Sequence, residues 1–221
     1  MTFSGTTRFA LGVAVAAAVL LALAPLPALA GAQVEESLAP SVVAGLQRAI
    51  ADNPVPTDYS NQSRLRPWLD EMSRRLVPKL ADPRSRGDFI ATVHYEAERA
   101  GLDPQLVLGV IQHESNFRKY AISSADARGY MQVMPFWTKL IGTPEHNLFN
   151  LRTNLRYGCV ILRHYLDTEN GDIYRALGRY NGSLGRPEYP TAVLTAMNRN
   201  WMFTPAAAAK VGALPSHIAV R

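Results

Sequence analysis

Between Phe89 and Trp201 the chain sets its apolar residues three and four positions apart, in one block after another. That period gathers them on one face of a helix, whereas a half-buried strand would alternate every second residue. Phe89, Val93, Ala97 and Ala100 share a face that Gly101 is placed to close. Asp103-Pro104 then supplies a capping side chain followed by proline in the first turn, and Leu106, Val107, Val110 and Ile111 continue from it. Leu151, Leu155, Gly158, Leu162 and Tyr165 form a longer face that stops at Asn170-Gly171. Ile173, Ala176, Leu177 and Tyr180 form the next, and Tyr189, Val193, Met197 and Trp201 recur every four residues.

The N-terminal part is also helical in pattern but carries no catalytic constellation. Ser41 is a cap candidate for Val43, Leu46 and Ile50, and a polar, proline-bearing stretch covers residues 52–62. Leu69, Met72, Leu76 and Leu80 trace a second stripe, with Pro67 near its start and Pro78 placed to end or kink it. No alternating run or hairpin turn chemistry stands out. The expected class is therefore mainly α, with residues 31–85 as a helical N-terminal extension and 86–201 as a run of short helices. Residues 202–221, with alanines at 206–209, are expected to be a loosely held tail.

The first thirty residues follow a different rule. Arg8 precedes an apolar run over residues 9–24, then Pro25, Pro27 and Ala28-Leu29-Ala30. This order reads as a secretory leader cleaved after about Ala30, which predicts an exported or periplasmic protein. The alternative, an uncleaved membrane anchor, meets a run shorter than the ~20 residues a spanning helix needs. No cysteine follows Ala30 directly, which argues against a lipid attached there. Cys159 is the sole cysteine, so no intramolecular disulfide can form. Its place inside an apolar helical pattern fits a small core residue better than a catalytic thiol.

At 221 residues and 48% hydrophobic content, one substantial core is available. A net charge of +5 and a pI near 9.5 favour anionic partners, yet the basic residues are scattered and form no nucleic-acid motif. Charge therefore decides little.

The chemistry concentrates at one carboxyl. Leu106, Val110 and Glu114 lie four apart, so Glu114 extends an apolar stripe. Burial there would raise its pKa above the usual ~4.3 and suit it to proton transfer. Position alone equally allows a helix-end Glu turned outward or paired with Arg.

The neighbouring motifs separate these readings. His113-Glu114-Ser115-Asn116-Phe117 is followed by Ser123 and then Asp126-Ala127-Arg128-Gly129-Tyr130-Met131-Gln132-Val133-Met134-Pro135. Further on come Asn154-Leu155-Arg156-Tyr157-Gly158 with Tyr165-Leu166, and Gly178-Arg179-Tyr180-Asn181-Gly182. Over roughly residues 87–201 these blocks, in this order, resemble the soluble lytic transglycosylases, with their E-S, G-L-M-Q-x-M-P and A-Y-N-G motifs. The resemblance implies a lysozyme-like helical domain that cuts peptidoglycan glycan strands between N-acetylmuramic acid and N-acetylglucosamine, leaving 1,6-anhydro ends. It implies Glu114 as the catalytic acid/base and Ser123 as the residue that orients the muramoyl N-acetyl group. Met131 and Gln132 would line the glycan groove. Tyr180 would reach back to the catalytic carboxyl with Asn181 beside it, and Gly129 allows backbone to approach a sugar closely.

Arg118, Asp126, Tyr130 and Arg179 depart from the family pattern. Asp126, where the family has Gly, is either a second carboxylate for lysozyme-type hydrolysis or a residue adopting the left-handed backbone that Gly supplies. A non-catalytic peptidoglycan-binding component of an envelope assembly is the remaining alternative. Position 117 is Phe, which breaks H-E-x-x-H, and no metal or other cofactor is expected. The expected state is a monomer acting on glycan strands, not nucleic acid, with residues 31–85 as a candidate surface for an envelope or secretion-apparatus protein.

Overall fold

The computed structural model describes Met1, residues 33–51 and residues 62–204. The leader-like residues 2–32, the polar stretch at 52–61 and the tail from 205 onward lie outside the described residues. Among the described residues the chain is mainly α, with eight helices. These are α1 (Pro40–Ala51), α2 (Gln62–Leu76), α3 (Pro83–Arg99), α4 (Pro104–Glu114), α5 (Phe136–Ile141), α6 (Leu151–Thr168), α7 (Ile173–Asn181) and α8 (Glu188–Ala196). A π-helical turn, Met197–Trp201, continues α8. Among the described residues no helix is long and apolar enough to cross a membrane.

Side-chain caps start four of these helices. Asp82, Asp103, Asn150 and Asp172 each accept a backbone N–H from the first turn of α3, α4, α6 and α7, satisfying a donor that the helix itself leaves free. The Asp82-Pro83 pair works as Asp103-Pro104 does, and it starts α3 ahead of the expected position 86. Pro40 likewise opens α1, which leaves Ser41 inside the helix instead of capping it. The short α5 has no side-chain cap and six residues, too few for a periodic signal, and it was not foreseen.

The apolar faces meet around α6, which packs on α1, α3 and α7, while α4 packs on α3, α8 and the π turn. One cluster of buried side chains runs through all of them and includes Leu46 and Ile50 of α1 with Trp68, Met72 and Leu76 of α2. On α2 the stripe is rotated from the expected one. Trp68 is buried with its ring edge-on to His94 at 5.1 Å, and Leu69 is only half-buried. Cys159 is buried as expected, and burial pushes its thiol well above its ordinary range, which makes it a poor nucleophile.

One buried charge ties α3 to α6. Glu96 is 1% exposed and bonds Arg156 at 3.1 Å, with Arg99 and Arg152 also in reach. Several guanidiniums on one carboxylate offset the cost of removing it from water. The first residues of the expected loose tail are also held: Phe203 N–H donates to Gln105 Oε1 at 2.5 Å.

Candidate active site

Glu114 is the last residue of α4, and the chain turns sharply after it. Ser115 caps the helix, and Asn116 and Phe117 both take left-handed backbone, at φ 50° and 65°. Two consecutive side-chain-bearing residues there cost on the order of 1–3 kcal/mol each. Burial of Phe117 opposes that cost: its ring packs edge-on to Phe89 at 5.9 Å and to Trp201 at 5.3 Å. The α4 helix end is thereby locked between α3 and the π turn.

Close packing brings α8 to the same carboxyl. Gly109 faces α8, where an added Cβ would lie 3.0 Å from the Val193 carbonyl oxygen. With α4 and α8 this near, the buried Tyr189 hydroxyl donates to Glu114 Oε1 at 2.5 Å. The residue is half-buried, and protein packed around the carboxyl pushes its pKa to about 8, a rise that the Tyr189 hydrogen bond partly offsets. Because the bond occupies Oε1, a proton on Glu114 belongs on Oε2. His113, one residue earlier, stacks edge-on against the Tyr189 ring at 5.0 Å.

Tyr180 does not make the contact expected of it. Its hydroxyl donates to the Met131 carbonyl oxygen at 2.8 Å, although Tyr180 is near enough to Glu114 to feel its charge. Tyr189, read from sequence only as part of an apolar face, holds the carboxyl instead. The missed signal was chemical: a buried tyrosine needs an acceptor for its hydroxyl. Burial pushes both hydroxyls well above the ordinary tyrosine range, so both remain donors across the working pH range.

Replacing Tyr189 with Phe removes a bond that favours the charged carboxylate. Sign and size follow from that. The Glu114 pKa should rise further, the alkaline limb of a kcat profile should move to higher pH, and kcat should fall about 10- to 100-fold. Activity profiles of the two proteins between pH 5 and 10 check this; a limb that moves down would contradict it.

The motif between residues 121 and 134 folds as a compact loop beside this carboxyl. Arg128 and Val133 pair through both backbone bonds at 3.0 Å, and Gly129 N–H donates to the Ala121 carbonyl. Asn154 of α6 is the internal brace. It accepts from Met131 N–H at 2.8 Å and donates to the carbonyls of Arg128 at 2.8 Å and Leu148 at 2.9 Å. Gly129, at φ 75°, leaves the space Asn154 occupies, since a Cβ there would lie 2.5 Å from Asn154 Nδ2. That close approach is to Asn154, not to a sugar as expected.

Two expected groove residues serve the loop. Met131 is fully buried with its side chain seated on Gly158, where an added Cβ would lie 2.3 Å from its sulfur. Gln132, also buried and left-handed at φ 48°, gives its amide hydrogens to the carbonyls of Ala121 and Gly129. Their side chains are therefore packing and bracing groups here, in place of the sugar contacts expected.

Ser123 is half-buried, and its hydroxyl oxygen accepts from Ala125 N–H at 3.2 Å and Ala127 N–H at 3.0 Å. Neither bond uses the hydroxyl proton. Asn181 is buried at the end of α7, where Gly182 closes the helix in left-handed backbone at φ 71°. Asp126 takes φ 67°, and Arg128 grips its carboxylate at 3.1 and 2.9 Å. The loop also exposes Tyr120 and Ile122, with the Tyr120 ring 5.8 Å from Phe149; no spacing rule had singled these out.

Comparison with known proteins agrees with the motifs. Residues 91–191 match the transglycosylase SLT domain. Similar proteins include membrane-bound lytic murein transglycosylase C of Edwardsiella ictaluri, 35% identical over 127 residues, covering 50% of this chain and 35% of that protein. The protein of the same name from Cronobacter sakazakii is 28% identical over 179 residues, covering 72% of this chain and 48% of its own length. The Serratia proteamaculans protein is 33% identical over 132 residues, covering 56% and 34%. This chain thus spans less than half the length of these curated relatives. Its helical architecture is the lysozyme-like one of the matched domain, and residues 91–191 carry the match to the transglycosylase SLT domain.

Proposed function

We propose that this chain is a peptidoglycan lytic transglycosylase in which Glu114 is the catalytic acid/base. The observation that carries the reading is the Glu114 carboxyl itself, raised to a pKa of about 8 and held at one oxygen by Tyr189. Near neutral pH it is protonated and donates from Oε2 to the β-1,4 glycosidic oxygen between N-acetylmuramic acid and N-acetylglucosamine. The glycosidic bond breaks as that proton moves, and the acetamido oxygen of the muramoyl sugar stabilises the cationic anomeric carbon. Glu114, now a carboxylate steadied by Tyr189, removes the proton from the C6 hydroxyl. That oxygen closes the 1,6-anhydro ring, and no water is consumed.

Ser123 suits a supporting role, because its free hydroxyl proton can donate to the acetamido carbonyl and fix its orientation. Tyr180 lies buried near the reacting carboxyl, and Asn181 follows it, buried, at the end of α7. Residues 86–201 are the catalytic unit in this reading, and the helices of 31–85 buttress it. The leader-like N-terminus, together with relatives named as membrane-bound murein transglycosylases, supports action in the cell envelope.

The left-handed backbone of Asp126 and its grip by Arg128 favour a conformational role over a second catalytic carboxylate. Mass spectrometry of digests of purified sacculi separates the two chemistries. Anhydro ends on the released fragments are expected. Reducing ends in their place would mean hydrolysis and overturn the proposed reaction.

A further inference from the structure

The segment leading into α1 runs exposed over most of its length, but Gln33 is 4% exposed. Its carboxamide lies against the motif loop, 99 residues further along the chain. Val133 pairs with Arg128 on one edge of that loop, so Gln132 C=O and Met134 N–H face the opposite edge. Gln33 Oε1 accepts from Met134 N–H at 3.0 Å, and Gln33 Nε2 donates to Gln132 C=O at 3.3 Å. One side-chain amide thus fills the place a neighbouring strand's peptide group would take.

The same segment brackets Tyr180. The Tyr180 hydroxyl donates to the carbonyl of Met131, one residue before the pair that Gln33 holds. The Gln33 carboxamide lies close enough to that hydroxyl to oppose the rise in its pKa. On the far side, Glu36 bonds Arg179, the residue before Tyr180, at 3.0 Å, and Leu38 packs against the core. Without Gln33, a buried backbone donor and acceptor lose their partner, and the loop holding Tyr180 loses its outer edge.

We propose that residues 33–39 form a strap that completes the active site, with Gln33 as a positioning residue for the Met131–Met134 loop and, through it, for Tyr180 beside Glu114. The consequence for catalysis rests on Glu114 being the acid/base. A buttress of this kind acts on geometry in the transition state more than on glycan affinity.

The test compares full-length wild type with Gln33→Met, which keeps the volume and removes both hydrogen bonds, and with Gln33→Glu, which keeps only the acceptor. On soluble glycan strands, well below the melting temperature, Gln33→Met should lower kcat about tenfold and leave KM within about twofold. Gln33→Glu should fall between it and wild type. In hydrogen exchange, the Met134 amide of Gln33→Met should exchange at least about tenfold faster while α6 amides keep their protection. Wild-type kcat in Gln33→Met, or unchanged exchange at Met134, overturns the proposal. A loss of kcat with α6 amides equally accelerated also overturns it, since that marks general destabilisation. If wild type does not cleave glycan, the acid/base reading fails instead, and exchange at Met134 still decides whether Gln33 pins the loop.

Discussion

Replacing Glu114 with Gln should lower the release of soluble fragments from purified sacculi by at least ~10³-fold, with the far-ultraviolet spectrum unchanged. Gln keeps the size of the side chain and can still accept from the Tyr189 hydroxyl, but it has no acidic proton to give. General acid–base catalysis contributes about 10²–10⁴-fold for a single step, and in the proposed reaction one carboxyl serves both bond cleavage and ring closure. Asp126 does not substitute in that scheme, because Arg128 holds its carboxylate. Activity within tenfold of wild type would remove Glu114 from the chemistry.

The same variant carries a stability signature. The folded pKa of Glu114 lies above its unfolded value, so its contribution to stability is full below the unfolded pKa and is lost as pH rises through about 8. Gln never ionises. Relative to wild type, Glu114→Gln should therefore gain stability between pH 5 and pH 9, by a few kcal/mol at about 1.4 kcal/mol per unit of pKa difference. Thermal melts of the two proteins across that range measure it directly.

Asn154→Ala is the second large expectation, and it falls on folding before function. The side chain is fully buried and satisfies Met131 N–H and the carbonyls of Arg128 and Leu148. Truncation leaves Met131 N–H and the Leu148 carbonyl without partners, while the Arg128 carbonyl keeps Val133 N–H, at about 1–3 kcal/mol for each buried group left unsatisfied and with a cavity added. A loss of at least ~3 kcal/mol follows, or roughly 10 °C in melting temperature for a chain of this size. The affected loop is the one that carries the Tyr180 anchor, so activity should fall even at temperatures where the variant stays folded. Calorimetry checks the first part; a melting temperature within 2 °C of wild type, set against the ~2–4 °C expected per kcal/mol, would show that Asn154 does not brace the loop.

Helix content and the place of Glu114 could be read from the sequence because both are local. An Asp-Pro start and a four-residue repeat fix the rotation of α4, and with it the direction of Glu114. The burial of Leu46, Ile50, Met72 and Leu76 followed from the same periodicity, whereas Trp68 and Leu69 exchanged places because tertiary packing chose the larger ring. The Asp82-Pro83 pair that starts α3 is a local signal of the same kind.

What escaped was long-range or strained. Tyr189 and Tyr180 both fall on apolar faces, and periodicity says nothing about which hydroxyl reaches Glu114 and which reaches the Met131 carbonyl. Asn116, Phe117 and Gln132 adopt left-handed backbone without glycine, held by packing and hydrogen bonds contributed from elsewhere in the chain. Gln33 carries no local signal, since its partners lie about a hundred residues away. Residue types within the motif were similarly misleading about direction: Met131 and Gln132 turn inward to Gly158 and to the loop carbonyls.

The central claim concerns a protonation state, and carbon-13 NMR of the Glu114 side-chain carboxyl, assigned by its loss in Glu114→Gln, reads that state directly. Titration of the wild-type protein should give a midpoint near pH 8 for this resonance. A midpoint in the ordinary glutamate range, about 4 to 5, would mean that the carboxyl is already ionised at neutral pH and has no proton to deliver.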